Sequence, residues 1–319
     1  MNHEHEVTHL NEVDRRKFLQ LSSFATGLVF VNSILSLESA AALPSAKLPG
    51  FTAFAKSVKV FKSGKYYLVE SNGIPAHQMM VGIKSWQQQV PTIQNYAGTN
   101  AWSIPIKPVI AANPISAKDH FLRGAIAIAV NGVPIFNALN NRGDDALLAG
   151  ELDDWGGHCG RADDYHYHIA PTHLQSVVGK KVPIAYALDG FPIYGETEVD
   201  GKKVTGLDGF NGHFDSKKNY HYHATKSYPY INGGFKGVVT EIEGQVDPQA
   251  LTKAFRPAGE PLRGATITGL ERVGDSTFDL KYTLNGSDYH VKYTASLNEV
   301  SMQFVDSTGS IRTEVYQRK

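Results

Sequence analysis

Leu152-Asp153-Asp154-Trp155-Gly156-Gly157-His158, followed by Tyr165-His166-Tyr167-His168, recurs 55 residues on as Leu207-Asp208-Gly209-Phe210-Asn211-Gly212-His213, followed by Tyr220-His221-Tyr222-His223. In an extended chain residues i and i+2 project from one face, so His166 and His168 point together, as do His221 and His223. The interleaved tyrosines point the other way. His158 and His213 each lie eight residues before the next histidine of their copy, a spacing that suits return from a short turn. Three imidazoles per copy can therefore converge. A single His-x-His pair is often no more than a half-buried polar pair, but a duplicated triplet reads as metal binding.

The duplication extends upstream. A 58-residue shift lays Ala129-Val130-Asn131-Gly132-Val133-Pro134-Ile135-Phe136 on Ala187-Leu188-Asp189-Gly190-Phe191-Pro192-Ile193-Tyr194. Each unit reads as a β-hairpin with an Asn-Gly or Asp-Gly turn, then a polar loop, then a Gly-His turn into the Tyr-His-Tyr-His strand. Repeat units at 125–168 and 183–223 predict a pseudo-two-fold core. Two copies are too few for a solenoid or propeller. The expected fold class is mainly β: an antiparallel β-rich core of two repeated hairpin units, with a small C-terminal β-meander.

Beyond the tetrapeptide, three stretches resemble the YHYH-domain family. They are Gly73-Ile74-Pro75-Ala76-His77 with Trp86-Gln87-Gln88-Gln89-Val90-Pro91; Trp155-Gly156-Gly157-His158-Cys159-Gly160-Arg161; and Leu188-Asp189-Gly190-Phe191-Pro192-Ile193-Tyr194-Gly195. The resemblance covers roughly residues 60 to 240 and implies which residues matter, but it brings no activity with it.

An apolar content of 42% over 319 residues belongs to an ordinary globular chain. Formal charge is balanced, 31 basic against 31 acidic residues, with no basic block after the leader. Nucleic acid is therefore not an expected partner. Asp14-Arg15-Arg16-Lys17-Phe18-Leu19-Gln20, a mildly apolar run from Leu21 to Leu37, and Ala40-Ala41-Ala42 read as a twin-arginine-type signal peptide over 1–42. Asp14 and Gln20 depart from the usual pattern. Gly27, Asn32 and several serines make the run poorly apolar for a lasting membrane span. Cleavage near residue 42 would place the protein in the periplasm or outside the cell, with the twin-arginine export machinery as a partner. It would also remove His3, His5 and His9. A single cysteine allows no intramolecular disulfide, which suits a protein folded before export.

Residues 43–57 read as a linker, 58–245 as the metal-binding domain and 246–319 as an antiparallel β subdomain. Val58–Val69 is strand-like, and five prolines between Asn72 and Pro114 favour short strands and loops. Asp247–Phe255 reads as a short helix. Strands are expected over Phe278–Leu284, Asp288–Thr294, Val300–Val305 and Ile311–Tyr316.

The metal ligands expected are His158, His166, His168, His213, His221 and His223, with His77 in second rank. Asp153 and Asp208, the repeated carboxylates, are candidates to orient a histidine or to act as general base. Cys159 has Phe214 at the equivalent position and is expected to be buried and apolar. The cofactor expected is a divalent transition metal, zinc or copper first, with iron, nickel and manganese also compatible. Three readings of function follow. One is a metal-dependent hydrolase acting on an unidentified small molecule through activated water. Another is a non-catalytic metal carrier, sensor or scaffold, and the third a copper or iron redox enzyme. Neither a His-Glu-x-x-His nor a Gly-x-Ser-x-Gly signature is present.

Overall fold

The computed structural model describes residues 46–84 and 86–318. The signal peptide expected over 1–42, with His3, His5 and His9, lies outside them. Strands β1 (Lys59–Ser63), β2 (Tyr66–Glu70) and β3 (Trp102–Pro105) form a three-stranded antiparallel sheet, and β4 (Ile110–Ser116) follows. The stretch read as one strand from Val58 is thus a hairpin. Its break falls at Gly64-Lys65, where Gly64 takes a positive φ of 53°.

Eight short strands then build the sheet that carries the histidines: β5 (Ala125–Ala129), β6 (Pro134–Phe136), β7 (Gly157–Cys159), β8 (Tyr165–Tyr167), β9 (Ala185–Ala187), β10 (Pro192–Tyr194), β11 (Gly212–Phe214) and β12 (Tyr220–His223). Their order across the sheet is β11-β12-β10-β9-β5-β6-β8-β7. Ile128 on β5 pairs antiparallel with Tyr186 on β9, and Tyr186 is its own counterpart under the 58-residue shift. A residue paired with its own repeat mate places the pseudo-two-fold axis between the two. The registers on either side agree: Ile135 faces Tyr167 as Ile193 faces Tyr222, and His158 faces His166 as His213 faces His221. The β6–β8 and β10–β12 pairs are parallel within an otherwise antiparallel sheet. This follows from the outer strand of each unit, which takes the edge and lets the Tyr-His-Tyr-His strand run beside the hairpin.

Every residue of β5 and β9 is buried, so the middle of the sheet is covered on both faces. The tyrosine face of β8 and β12 joins that core, with Tyr165, Tyr167, Tyr220 and Tyr222 all at most 3% exposed. Glycine precedes the first histidine of each triplet for a steric reason. A Cβ at Gly157 would sit 2.5 Å from the Tyr165 hydroxyl, and one at Gly212 would overlap Tyr220.

Two small ladders follow, β13 (Gly234–Gly237) against β4 and β14 (Thr240–Ile242) against β15 (Gln245–Asp247). The last five strands, β16 (Thr266–Arg272), β17 (Thr277–Leu284), β18 (Ser287–Ala295), β19 (Glu299–Val305) and β20 (Ile311–Gln317), form the expected antiparallel meander, preceded by one strand more than the sequence suggested. It packs on the proline-rich segment: Tyr293 donates to the Pro91 carbonyl at 2.8 Å, and Arg318 donates to Gln94 at 2.8 Å.

Two local expectations change. No helix forms over 247–255: Asp247 ends β15, Leu251 N–H donates to the Asn100 side chain, and the Gln249 side chain accepts from Ala125 N–H. Residues 46–57 are more than a linker, since Leu48 and Phe51 are buried and Tyr186 donates to the Pro49 carbonyl.

Candidate metal centres

At one edge of the sheet, His158 on β7 and His166 and His168 on and just after β8 turn their rings to a common point. Nε2 of His168 lies 3.0 Å from Nε2 of His158 and 3.2 Å from that of His166. The remaining ring nitrogens are engaged by backbone. His166 Nδ1 donates to the Asp164 carbonyl at 2.9 Å, His168 Nδ1 to that of Asn137 at 2.5 Å, and the His158 ring bonds the carbonyl of Glu151. A neutral imidazole has one N–H, so once it is spent on a carbonyl the other nitrogen is a bare lone pair. Three lone pairs then face one another with no proton to share.

The second centre repeats this at the opposite edge. His213 Nε2 lies 3.0 Å from His221 Nε2. His213 Nδ1 donates to the Thr205 carbonyl at 3.1 Å, His223 Nδ1 to that of Gly195 at 2.8 Å, and the His221 ring bonds the carbonyl of Asn219. One difference separates the two. Glu198 reaches into the second centre, with carboxylate oxygens 3.3 Å from His213, 3.7 Å from His223 and 4.0 Å from His221. Under the 58-residue shift its counterpart is Asn140, whose amide turns away to Glu151. The first centre thus offers three ligands and the second four.

Burial acts on these groups in one direction. It is the main cause that lowers His168 to about 3 and His223 to about 4, and it holds His158 well below and His221 below the usual imidazole range. His158, His168, His221 and His223 are therefore preset as neutral nitrogen donors, the form that binds metals. Nε2 of His223 is buried without a hydrogen-bond partner, an orphan that a cation would satisfy. Tetrahedral ligands about 2.0–2.1 Å from zinc stand roughly 3.3 Å apart, so the observed separations need little adjustment to admit such an ion. The residues fit a divalent transition metal.

The two centres are separate. Five inter-strand steps lie between β8 and β12, which at about 4.8 Å per step is roughly 24 Å. No ion could bridge them.

Other candidates from the sequence sit elsewhere. Asp153 accepts from the Tyr165 hydroxyl at 2.8 Å and from the N–H groups of Met80, Trp155 and Gly157. Asp208 accepts from Tyr220 and from Phe210 and Gly212 N–H, with Lys236 at 3.3 Å. Neither carboxylate bonds a histidine. Both hold the turn that sends the chain into the histidine strand, which is why they repeat.

His77 lies on the tyrosine side. Its Nε2 accepts from Tyr167 at 2.6 Å, its Nδ1 meets the Gln78 carbonyl, and its ring stacks on Trp155. Both nitrogens are taken, so it joins neither triplet. Cys159 is buried, as expected, and burial pushes its thiol well up. Asp163, without a counterpart in the repeat, forms a two-pronged buried ion pair with Arg256 at 2.9 and 3.0 Å. Glu198 was missed because comparing the repeats rewards sameness, and its value lies in the difference.

The family model described as YHYH protein matches residues 101–204, a span that contains the first triplet and Glu198 and stops short of His213. No curated protein and no solved structure matches the chain. Over residues 101–204, about a third of the chain, with the hairpin, the Gly-His turn and the first Tyr-His-Tyr-His strand, the protein is similar to the YHYH family.

Proposed function

We propose that the protein binds two divalent transition-metal ions, one in each histidine triplet, and that the first centre works as a metal-dependent hydrolase. The observation that carries metal binding is the convergence of the ring nitrogens in each triplet, with Nδ1 of His166, His168, His213 and His223 bonded to backbone carbonyls. Rings locked in this way cannot satisfy one another. The hydrolytic part rests on the open side of the first centre, whose three histidines line a cavity of about 670 Å³. A divalent ion in such a place supplies Lewis acidity, polarising an oxygen ligand and easing loss of a proton from water.

The chain's own residues have narrower tasks. Asn137 and Asp164 carbonyls hold the imidazoles in their tautomer and angle. Phe136 stacks on His166 with ring centroids 3.9 Å apart and fixes that ring from the side. The second centre suits a structural or storage role, because Glu198 fills the approach that stands open in the first. A copper or iron redox centre is less well supported, since the phenols of Tyr165 and Tyr167 lie on the opposite face of their strand. The leader supports a periplasmic or extracellular location for this activity.

The test is metal content and coordination in protein purified after native export. Two equivalents per chain are expected, and cobalt substitution should give the visible spectrum of four- or five-coordinate sites. Protein that holds no transition metal, and takes none up with micromolar affinity or better, would remove the proposal.

A further inference from the structure

The cavity over the first centre has a charge that the chain as a whole lacks. Lys84, Arg123, Arg142 and Arg161 line it, and Glu151 is its one carboxylate. Arg142 is committed, paired with Glu151 and with Asp144 at 3.0 Å. Lys84, Arg123 and Arg161 have no carboxylate partner among the described residues, although the full chain balances 31 basic against 31 acidic groups. Arg123 donates only to the Glu243 carbonyl, at 3.4 Å, and cations without a carboxylate partner gathered round one concave site raise the local concentration of anions.

Resting on the metal-binding reading above, we infer that the first centre's cavity takes a small organic phosphate monoester, its phosphoryl oxygens held by Arg123, Arg161 and Lys84 beside the histidine triplet. Guanidinium forks match phosphoryl oxygens two at a time, and three unpaired cations suit a dianion better than a monocarboxylate. Trp86 and Phe136 supply apolar wall for the organic part, and the volume of about 670 Å³ is that of a metabolite-sized ligand.

Titration calorimetry of the exported, metal-loaded full chain with phenyl phosphate, inorganic phosphate and benzoate tests this. Phenyl phosphate should bind, and benzoate should bind roughly tenfold more weakly or not at all. Inorganic phosphate should bind more weakly than phenyl phosphate, since it leaves the apolar wall unused. Arg161→Gln and Arg123→Gln should each weaken phenyl phosphate by about tenfold or more with metal content unchanged, which also shows that the variants fold. Benzoate binding as well as phenyl phosphate, or phenyl phosphate indifferent to both arginine changes, would overturn the inference. The same titration on chelator-treated chain separates the two proposals: arginine-dependent phosphate binding without any metal uptake would sink the metal reading and leave the anion site standing.

Discussion

Tyr222 donates its phenol proton to Asp189 at 2.5 Å, while its repeat counterpart Tyr167 receives a hydrogen bond from Asn131 at 2.9 Å. The same strand is anchored to the same hairpin turn with opposite polarity. Asp189 also accepts from Gly237 and Phe191 N–H, yet burial outweighs these bonds and pushes its carboxyl up to about 6. A group whose folded pKa is raised contributes stability in full below its unfolded value near 3.8, and loses it as pH rises to about 6. Two pKa units correspond to a loss on the order of 3 kcal/mol. Asp189→Asn removes this step but leaves Gly237 N–H without its acceptor, at about 1–3 kcal/mol. The variant should be less stable than the parent at pH 4 and close to it at pH 7.5 in denaturant titrations. A difference that stays constant across that range would show that Asp189 does not titrate as described.

Asp153→Asn turns an amide towards groups that all donate, so Met80 N–H or the Tyr165 hydroxyl loses its acceptor inside the core. The cost should be roughly 1–3 kcal/mol, and less for the more exposed Asp208→Asn. Metal content measured on the folded variants should stay at the parental value. An Asp153→Asn protein as stable as the parent would show that Asp153 does not hold the turn as described.

The sequence holds a large part of this arrangement because it holds it twice. Strand period put His166 and His168 on one face and the tyrosines on the other, and the 58-residue shift contained the symmetric Ile128–Tyr186 pairing. What stayed hidden has physical causes. Asp153 and Asp208 repeat because they tie down a repeated turn, and repetition alone does not tell a structural carboxylate from a reactive one. Glu198 sits in a loop whose counterpart is Asn140, so the comparison that revealed the histidines concealed it. The Asp163–Arg256 pair joins positions 93 residues apart, a contact with no local pattern at all. The non-helical course of residues 248–255 is tied in the same way to Asn100 and to the N–H of Ala125.

That ion pair gives a third test. Asp163 and Arg256 are both nearly fully buried, and Asp163 also accepts from Val90 N–H at 3.0 Å, next to the Pro91 carbonyl on which Tyr293 docks. Removing one partner leaves an uncompensated buried charge, so Arg256→Met should cost about 3–5 kcal/mol. The double change Arg256→Met with Asp163→Leu should recover part of that loss. Thermal denaturation of both variants measures it, and a single variant within about 0.5 kcal/mol of the parent would show the pair to be dispensable.

The two centres should behave as independent sites, since roughly 24 Å of sheet separates them and they share no ligand. His166→Ala should lower metal content from two equivalents per chain to one and leave the His213, His221 and His223 centre loaded. His221→Ala should do the reverse. Glu198→Gln should weaken only the second centre, because it removes the charge of a fourth donor and keeps three imidazoles in place, and competition with a chelator of known affinity measures that loss. In cobalt-substituted protein the variant spectrum of the second centre should then approach that of the first, which offers three imidazoles and no carboxylate. Loss of both ions on any single histidine change, in protein that is still folded, would contradict the separation of the centres along the sheet.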